Sequence, residues 1–190
     1  IPNGIVLPER SVFNIEESLG RIKTKKVLFL GRIHPVKGIE NLLKAWAKVA
    51  IAGWTLQIAG PGDRNYLSGL VDRTKKLNIQ HDVEFSGPVT DTNKPDLFSK
   101  TDFLVLPSFS ENFGVVVAEA LAYGLPVITT TGTPWSDLHD HHSGWCVDPT
   151  VEGLSAALRE AMLADEYQYA SMRKNAFAHA KDFEWVSLAR

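Results

Sequence analysis

The sequence predicts an α/β fold, with a doubly wound parallel sheet of about six strands and helices on both faces. Short apolar runs alternate with longer amphipathic segments from Lys26 onward, which is the pattern of strand–helix–strand units. The apolar runs are hydrophobic along their whole length, as is typical of strands buried on both faces. Polar or glycine-rich turns follow these runs, and doubly wound sheets bind ligands at that edge.

The predicted strands are these apolar runs, and glycine or proline ends several of them. The second run stops at Gly60-Pro61-Gly62-Asp63 and the third at Gly87-Pro88-Val89, all residues that favour turns. The predicted strands span 26–31, 54–59, 83–86, 103–106, 126–130 and 144–147.

The predicted helices are the segments whose apolar residues recur at helical spacing. In the first of them these residues are Ile39, Leu42, Leu43, Trp46 and Val49. Pro95 lies in the first turn of a short helix, and Gly124 and Pro126 end the helix before the fifth strand. The predicted helices span 37–51, 67–77, 93–100, 114–123, 151–164, 166–181 and 183–190.

Composition excludes several classes of function. A chain of 190 residues, 44% of them apolar, can bury the core of one domain. The formal charge is -2 and no basic run is present, which argues against nucleic acid as a partner.

Cys146 is the only cysteine, so no internal disulfide can form, and we expect a small packed residue in a reducing, cytoplasmic compartment. No signal peptide or transmembrane run is evident. Because the chain opens within a turn and without methionine, we expect it to be a fragment.

Two carboxylates flank the start of a predicted helix. Glu111 lies in the turn before it, and Glu119 lies inside it. If this helix begins near Asn112 or Phe113, its free N–H groups point back into the turn that holds Glu111, and such a helix end attracts an anion. At Glu119 a carboxylate would stand among valines, alanines and a leucine, which is costly unless hydrogen bonds satisfy it. Two interpretations are open: Glu119 contacts a ligand, or it caps a backbone group or pairs with a basic residue.

The turn between the first strand and the first helix carries two cations. Gly31 allows the backbone to approach a ligand closely. Arg32 can bind an oxyanion with two hydrogen bonds, while Lys37 acts as a point charge. Together they suit two phosphates, and the alternative is that they are ordinary surface residues. The turn matches neither the Walker phosphate loop nor the GxGxxG dinucleotide pattern.

Four stretches of the chain resemble the C-terminal half of family-four glycosyltransferases, namely GRIHPVKG, QIAGPGD, FSGPV and LPSFSENFGVVVAEALAYGLPVI. Members of that family are retaining enzymes of the GT-B fold that use nucleotide-diphosphate sugars. The resemblance implies the C-terminal lobe of a GT-B fold, with a Rossmann-like donor-binding domain over residues 25–181. It also implies an interdomain connector over 1–24 and a C-terminal helix over 182–190 that crosses back to an N-terminal lobe.

The resemblance implies which residues hold the phosphates of the donor. Arg32 and Lys37 would bind the diphosphate. The backbone amides of Asn112, Phe113 and Gly114 would face the phosphates or the sugar.

The resemblance assigns the sugar, the ribose and the base to other residues. Glu111 would contact hydroxyls of the donor sugar, and Glu119 would accept hydrogen bonds from the two ribose hydroxyls. The backbone at Val89 would read the edge of the base, in a slot shaped by Gly60 and Pro88. The resemblance does not choose between UDP, GDP and ADP as the nucleotide of the donor.

The implied reaction needs no cofactor and no metal. Negative charge grows on the leaving diphosphate, where Arg32, Lys37 and the helix N-terminus would meet it. Front-face attack is the usual proposal for retention in this family, and we do not assign Glu111 as a nucleophile. The acceptor, a glycan or a lipid, would bind the missing N-terminal lobe. We therefore expect the isolated chain to be nearly inactive. That lobe could also attach the protein to the inner face of a membrane.

Several alternatives stay open at this stage. The chain could be a nucleotide-sugar-binding module without transfer activity, a sugar-nucleotide epimerase or a phosphorylase of the same fold. A receiver-type domain would need acidic residues where Arg32 and Lys37 stand. We interpret the segment 139–142, His-Asp-His-His, as a solvated turn rather than a metal site. Trp135 is expected to pack the loop rather than line an acceptor cleft, and His34 faces solvent or the ligand.

Overall fold

The computed structural model describes Ile5 and residues 24–184. Its six parallel strands form one sheet in the order β3-β2-β1-β4-β5-β6. These strands are β1 (Lys26–Leu30), β2 (Thr55–Ala59), β3 (Val83–Gly87), β4 (Phe103–Leu106), β5 (Val127–Thr130) and β6 (Gly144–Val147). The predicted Rossmann-like doubly wound sheet is confirmed.

Six α-helices connect and cover these strands in the described part of the chain. They are α1 (Ile39–Val49), α2 (Arg64–Lys76), α3 (Lys94–Ser99), α4 (Val115–Ala122), α5 (Val151–Leu163) and α6 (Glu166–Ala180). Helix α1 packs against α5, and α4 packs against α6. No helix among the described residues has both the length and the apolar character that a membrane crossing requires.

The sheet has one point at which the chain changes direction. It runs outward from β1 to β3 at one edge, then returns so that β4 pairs with β1 through Val27–Phe103 and Leu28–Leu104. The turns after β1 and β4 therefore leave neighbouring strands and diverge. A crevice opens between such turns at the carboxyl ends of the strands, and ligands of doubly wound folds bind there.

The central strands are buried as their composition predicts. Val27, Leu28 and Phe29 of β1 are fully shielded from solvent, as is all of β4 except for a 1% exposure at Leu106. Asp102, which precedes β4, is also fully buried. Its carboxylate accepts hydrogen bonds from the backbone N–H of Lys26 at 3.0 Å and from the hydroxyl of Tyr169 at 2.8 Å. These hydrogen bonds hold the amino ends of β1 and β4 against α6, at the ends of the strands opposite the crevice.

The first helix is shorter than predicted. Pro35–Lys37 forms a 3-10 turn, and α1 begins only at Ile39. The cause is Gly38, whose φ of 67° interrupts the helical backbone. A Cβ atom there would lie 2.1 Å from the carbonyl oxygen of Pro107, so only glycine allows this turn to pack against the turn after β4.

The two predicted end segments lie largely outside the described residues. Within the connector predicted over 1–24, Ile5 is buried and its N–H donates to the carbonyl of Phe183 at 2.9 Å. The helix predicted from Phe183 is not seen at its start, because Lys181–Phe183 is a 3-10 turn and Glu184 is extended. Residues 185–190 lie outside the described part.

Candidate functional site

A cavity of about 290 Å³ lies at the carboxyl ends of β1 and β2, between the turns after β1 to β3 and helices α3 and α4. We call it the switch-point cavity. Its walls are mostly apolar or backbone, with three charged side chains. The lining consists of Leu30, Gly31, Arg32, Gly60, Pro61, Val89, Lys94, Val115, Val116 and Glu119.

Five of the residues predicted for the site line this cavity together, namely Gly31, Arg32, Gly60, Val89 and Glu119. They come from the turns after three strands and from one helix. A Cβ atom on Gly60 would lie 1.9 Å from the carbonyl oxygen of Gly31. The turns after β1 and β2 are therefore packed backbone to backbone, and this packing shapes one wall of the cavity.

Lys37 and Glu111 do not line the switch-point cavity but form an ion pair beside it. Their side chains are only 15% and 18% exposed. A Cβ atom on Gly114 would lie 3.2 Å from Cγ of Glu111, so the pair sits against the start of α4. Lys37 is thus ion-paired with a residue of the turn after β4.

The N-terminus of α4 lies later in the chain than predicted. The helix does not begin near Asn112 or Phe113: Gly114, the first residue of the predicted span, has a φ of 75°, and the helix begins at Val115. The N–H groups of Val115 and Val116 are in the first turn and have no acceptor within the helix. Both residues line the cavity, whereas Asn112, Phe113 and Gly114, whose amides were predicted to face the donor, do not line it.

Phe113 and Trp135 hold the turn before α4 in place. The indole N–H of Trp135 donates to the carbonyl of Phe113, and the two rings lie 5.3 Å apart. Trp135 is 1% exposed, so it packs the loop, as the sequence indicated.

Glu119 is less buried than the sequence predicted. Its side chain is 26% exposed and one of its carboxylate oxygens lies 2.8 Å from Nζ of Lys94. The reason is its position on α4: the other face of that helix meets the core, whereas Val115, Val116 and Glu119 share the face toward the cavity. A carboxylate on this wall stays in partial contact with solvent. Lys94 is the basic partner that the second interpretation of Glu119 required.

Lys94 is a residue of the cavity wall that the sequence analysis missed. It also contacts Asp91, at 3.1 Å. Desolvation lowers the pKa of Lys94, but hydrogen bonds and charge from Glu119 and Asp91 outweigh it and leave this pKa raised. The ammonium group is therefore held in its charged form. The position of Lys94 shortly after β3 could have identified it from the sequence, because the turns at the carboxyl ends of the strands face the cavity.

Arg32 is exposed and separates the switch-point cavity from a second hollow of about 380 Å³. That hollow is lined by Ile33, His34, Pro35, Pro61, Gly62, Asp63 and Tyr66 in addition to Arg32. Among the residues that the structure describes, no carboxylate is ion-paired with Arg32. His34 is exposed beside it, and its Nδ1 accepts a hydrogen bond from the N–H of Val36 at 3.3 Å.

The four residues 139–142 are exposed, as predicted for a solvated turn. His141 nevertheless stacks on buried His179, with ring centroids 3.8 Å apart and planes 7° from parallel. Asp137 completes a group of three side chains whose ligand atoms lie within 4.8 Å of one another. Since imidazole lone pairs lie in the ring planes, the nearly parallel rings do not converge on one ion in this arrangement.

Comparison with known proteins places this geometry in a family. Residues 12–179 match the family model described as Glycosyl transferases group 1. An uncharacterised glycosyltransferase of Methanocaldococcus jannaschii is 30% identical over 186 residues, which cover 93% of this chain and 46% of that relative. The chain thus spans less than half the length of that relative.

Two solved structures share the fold. The HepE protein of Anabaena, in complex with UDP, matches with a TM-score of 0.80 and 23% identity over 98% of this chain and 53% of that one. The C-terminal domain of a group 1 glycosyl transferase from Francisella tularensis matches with a TM-score of 0.75 and 19% identity over 96% of both chains. The family model covers most of the chain, including every residue that lines the switch-point cavity and both partners of the neighbouring ion pair, so the chain belongs to the group 1 glycosyl transferases.

Proposed function

We propose that the chain is the donor-binding lobe of a retaining family-four glycosyltransferase, which moves a sugar from a nucleotide-diphosphate sugar to an acceptor. One observation carries the proposal: Arg32, the first turn of α4 and Glu119 meet in a single cavity at the switch point of the sheet. A cation and helix N–H groups suit a diphosphate, and a carboxylate suits a pair of hydroxyls.

The ligand lies across the cavity in a defined order. The ribose contacts Glu119, and the base lies against the turn that carries Val89, near Pro61. The diphosphate lies between Arg32 and the N–H groups of Val115. UDP is the favoured nucleotide because the HepE protein of Anabaena was solved with UDP and with UDP-glucose, and GDP and ADP are the alternatives to test.

The donor sugar extends from the diphosphate toward the Lys37–Glu111 pair. Glu111 accepts hydrogen bonds from sugar hydroxyls, while Lys37 fixes that carboxylate and adds positive charge near the phosphates. As the bond to the sugar breaks, negative charge grows on the leaving diphosphate. Arg32, Lys37 and the first turn of α4 stabilise this charge. The chain's own groups supply the stabilisation, so we propose transfer that does not depend on a metal ion.

The acceptor is proposed to bind a separate lobe. The fold match over 96% of both chains to an isolated C-terminal domain supports a unit that folds without that lobe. A glycan or a lipid would approach the sugar from the side of Glu111. We expect the 190-residue chain to bind donor and to transfer little sugar by itself.

Calorimetric titration of the chain with UDP, GDP and ADP tests the proposal. Binding of one of them to the folded protein, and competition by the matching nucleotide sugar, is the expected result. A folded sample that binds none of the three nucleotides contradicts the proposal. A transfer assay on a longer protein that contains this chain separates a transferase from a binding module with the same cavity.

A further inference from the structure

Lys94 lies on the wall of the switch-point cavity, and the proposed donor chemistry gives it no role. Its Nζ is 2.8 Å from Oε1 of Glu119, and the two side chains are 25% and 26% exposed. The pair joins the first residue of α3 to the middle of α4. Both partners line the cavity, so the contact belongs to the place where a ligand would lie.

The backbone around Lys94 is fixed by a turn. The carbonyl of Thr90 accepts hydrogen bonds from the N–H of Asn93 at 3.0 Å and from that of Lys94 at 3.2 Å. The next residue is Pro95, which restricts the backbone of Lys94. The Lys94 side chain therefore reaches Glu119 from a fixed backbone position.

The ammonium group has a second anchor on the outer side. Nζ lies 3.1 Å from Asp91, whose side chain is 95% exposed. An ammonium group has three donors. Glu119 and Asp91 can take two of them, which leaves one for the cavity. Glu119 in turn has about four acceptor positions on its two oxygens, so the contact with Lys94 leaves enough of them for two hydroxyls.

A diphosphate and a carboxylate in one cavity repel each other unless a cation lies between or beside them. Arg32 lines the same cavity from the turn after β1. Lys94 is the cation in contact with the Glu119 carboxylate. Like charges in a partly buried site interact much more strongly than in water, so the local neutrality of Glu119 affects how well an anionic ligand binds.

We propose that Lys94 is a positioning residue of the donor site. It holds the Glu119 carboxylate in the orientation that receives both ribose hydroxyls, and it cancels the charge of that carboxylate so that a diphosphate can share the cavity. The inference rests on the proposed function, because it concerns the same ligand. It implies that the site prefers ribonucleotides to 2′-deoxyribonucleotides, and that Lys94 sets this preference.

The test is calorimetric titration of wild type, Lys94→Met and Lys94→Arg with UDP, uridine and 2′-deoxy-UDP. Methionine keeps an unbranched, flexible side chain that is one atom shorter, and it removes the charge. We expect Lys94→Met to weaken UDP binding by about tenfold or more, the loss that a charged hydrogen bond carries. Uridine should be weakened less, since it has no diphosphate to be repelled. The preference for UDP over 2′-deoxy-UDP should shrink, and arginine should restore most of the affinity.

Lys100→Met is the matched control. Lys100 lies just after α3 and pairs with Asp96 at 2.7 Å on the exposed surface, and it does not line the cavity. Its replacement should leave all three affinities unchanged. A merely structural role for Lys94 would weaken every ligand equally.

Two outcomes are distinguishable. If wild type binds UDP and Lys94→Met binds all three ligands as wild type does, or weakens them by one common factor, the role of Lys94 is disproved and the proposed function stands. If folded wild type binds no nucleoside diphosphate at all, the proposed function fails and this inference fails with it.

Discussion

Lys37 and Glu111 form an ion pair that joins the turn after β1 to the turn after β4. These turns leave the two strands between which the chain changes direction. The pair therefore lies across the crevice of the sheet, and each partner holds the other beside the start of α4. Lys37 is consequently both a source of positive charge and the group that orients Glu111.

Replacing Lys37 by alanine should weaken phosphate-bearing ligands only. We expect UDP to bind about tenfold less tightly, as for the loss of a partly buried charged contact, while uridine binds as in wild type. Calorimetry with both ligands measures this. Lys48→Ala is the control, because Lys48 and Glu152 form a pair 3.2 Å apart that is more than half exposed on both sides. Equal weakening of uridine would show that Lys37 acts on the nucleoside.

Replacing Glu119 by alanine should weaken nucleosides and nucleotides alike. The carboxylate is proposed to accept two hydrogen bonds from the ribose, and we expect uridine and UDP each to lose about tenfold in affinity. Pyrophosphate has no ribose and should bind at least as well as before. Unchanged binding of uridine would place the ribose elsewhere in the cavity.

Replacing Gly38 by alanine should destabilise the fold. Positive φ and the contact with Pro107 together should lower the free energy of unfolding by at least about 2 kcal/mol. Urea denaturation measures the change. Gly69→Ala is the control: Gly69 lies in α2, and a Cβ atom added there would have no neighbouring atom within 4 Å, so alanine should raise the free energy of unfolding by about 0.5–1 kcal/mol. Equal effects at the two glycines would contradict the close packing at Gly38.

His179 should make stability depend on pH in the acid range. Its side chain is 2% exposed, and burial followed by the charge of His141 lowers its pKa, against the opposing effects of Asp137 and Asp182. The unfolded chain, with an ordinary histidine pKa of about 6.5, then binds more protons than the folded one. The contribution of neutral His179 to the free energy of unfolding is therefore fully present above about pH 6.5 and is lost as the pH decreases below that value.

Urea denaturation at two pH values tests the role of His179. Between pH values of about 7.5 and 5.5, we expect this group to remove up to about 1 kcal/mol from the free energy of unfolding. The variant His179→Gln, which keeps a polar group next to Ser143, should lose that part of the pH dependence. An identical pH dependence in wild type and variant would assign the effect to other groups.

The fold could be predicted from sequence because its strands are short, apolar and separated by turn residues. The order of the strands could not be predicted in this way, because no local pattern indicates that β4 pairs with β1. The errors at the starts of α1 and α4 have one cause. Gly38 and Gly114 adopt positive φ to bring two turns together, and such contacts join residues that are distant along the chain.

The candidate site was predictable to the extent that its residues follow strands. Arg32, Gly60 and Val89 were found by that rule and line one cavity. Lys94 was missed because its importance comes from a contact with Glu119, which lies on a different helix. The same contact stabilises the Glu119 carboxylate in its partly buried position, for which the apolar sequence around it had predicted fuller burial.

The switch-point cavity is lined by residues from both halves of the chain. A cut in the turn at residues 90–93 would leave three strands on each side. Arg32, Gly60 and Val89 would go to one piece, and Lys94 and Glu119 to the other. Neither piece would hold the complete proposed donor site, so, if the proposed function is right, nucleotide binding would report reassembly of the two halves and a nucleotide would favour it.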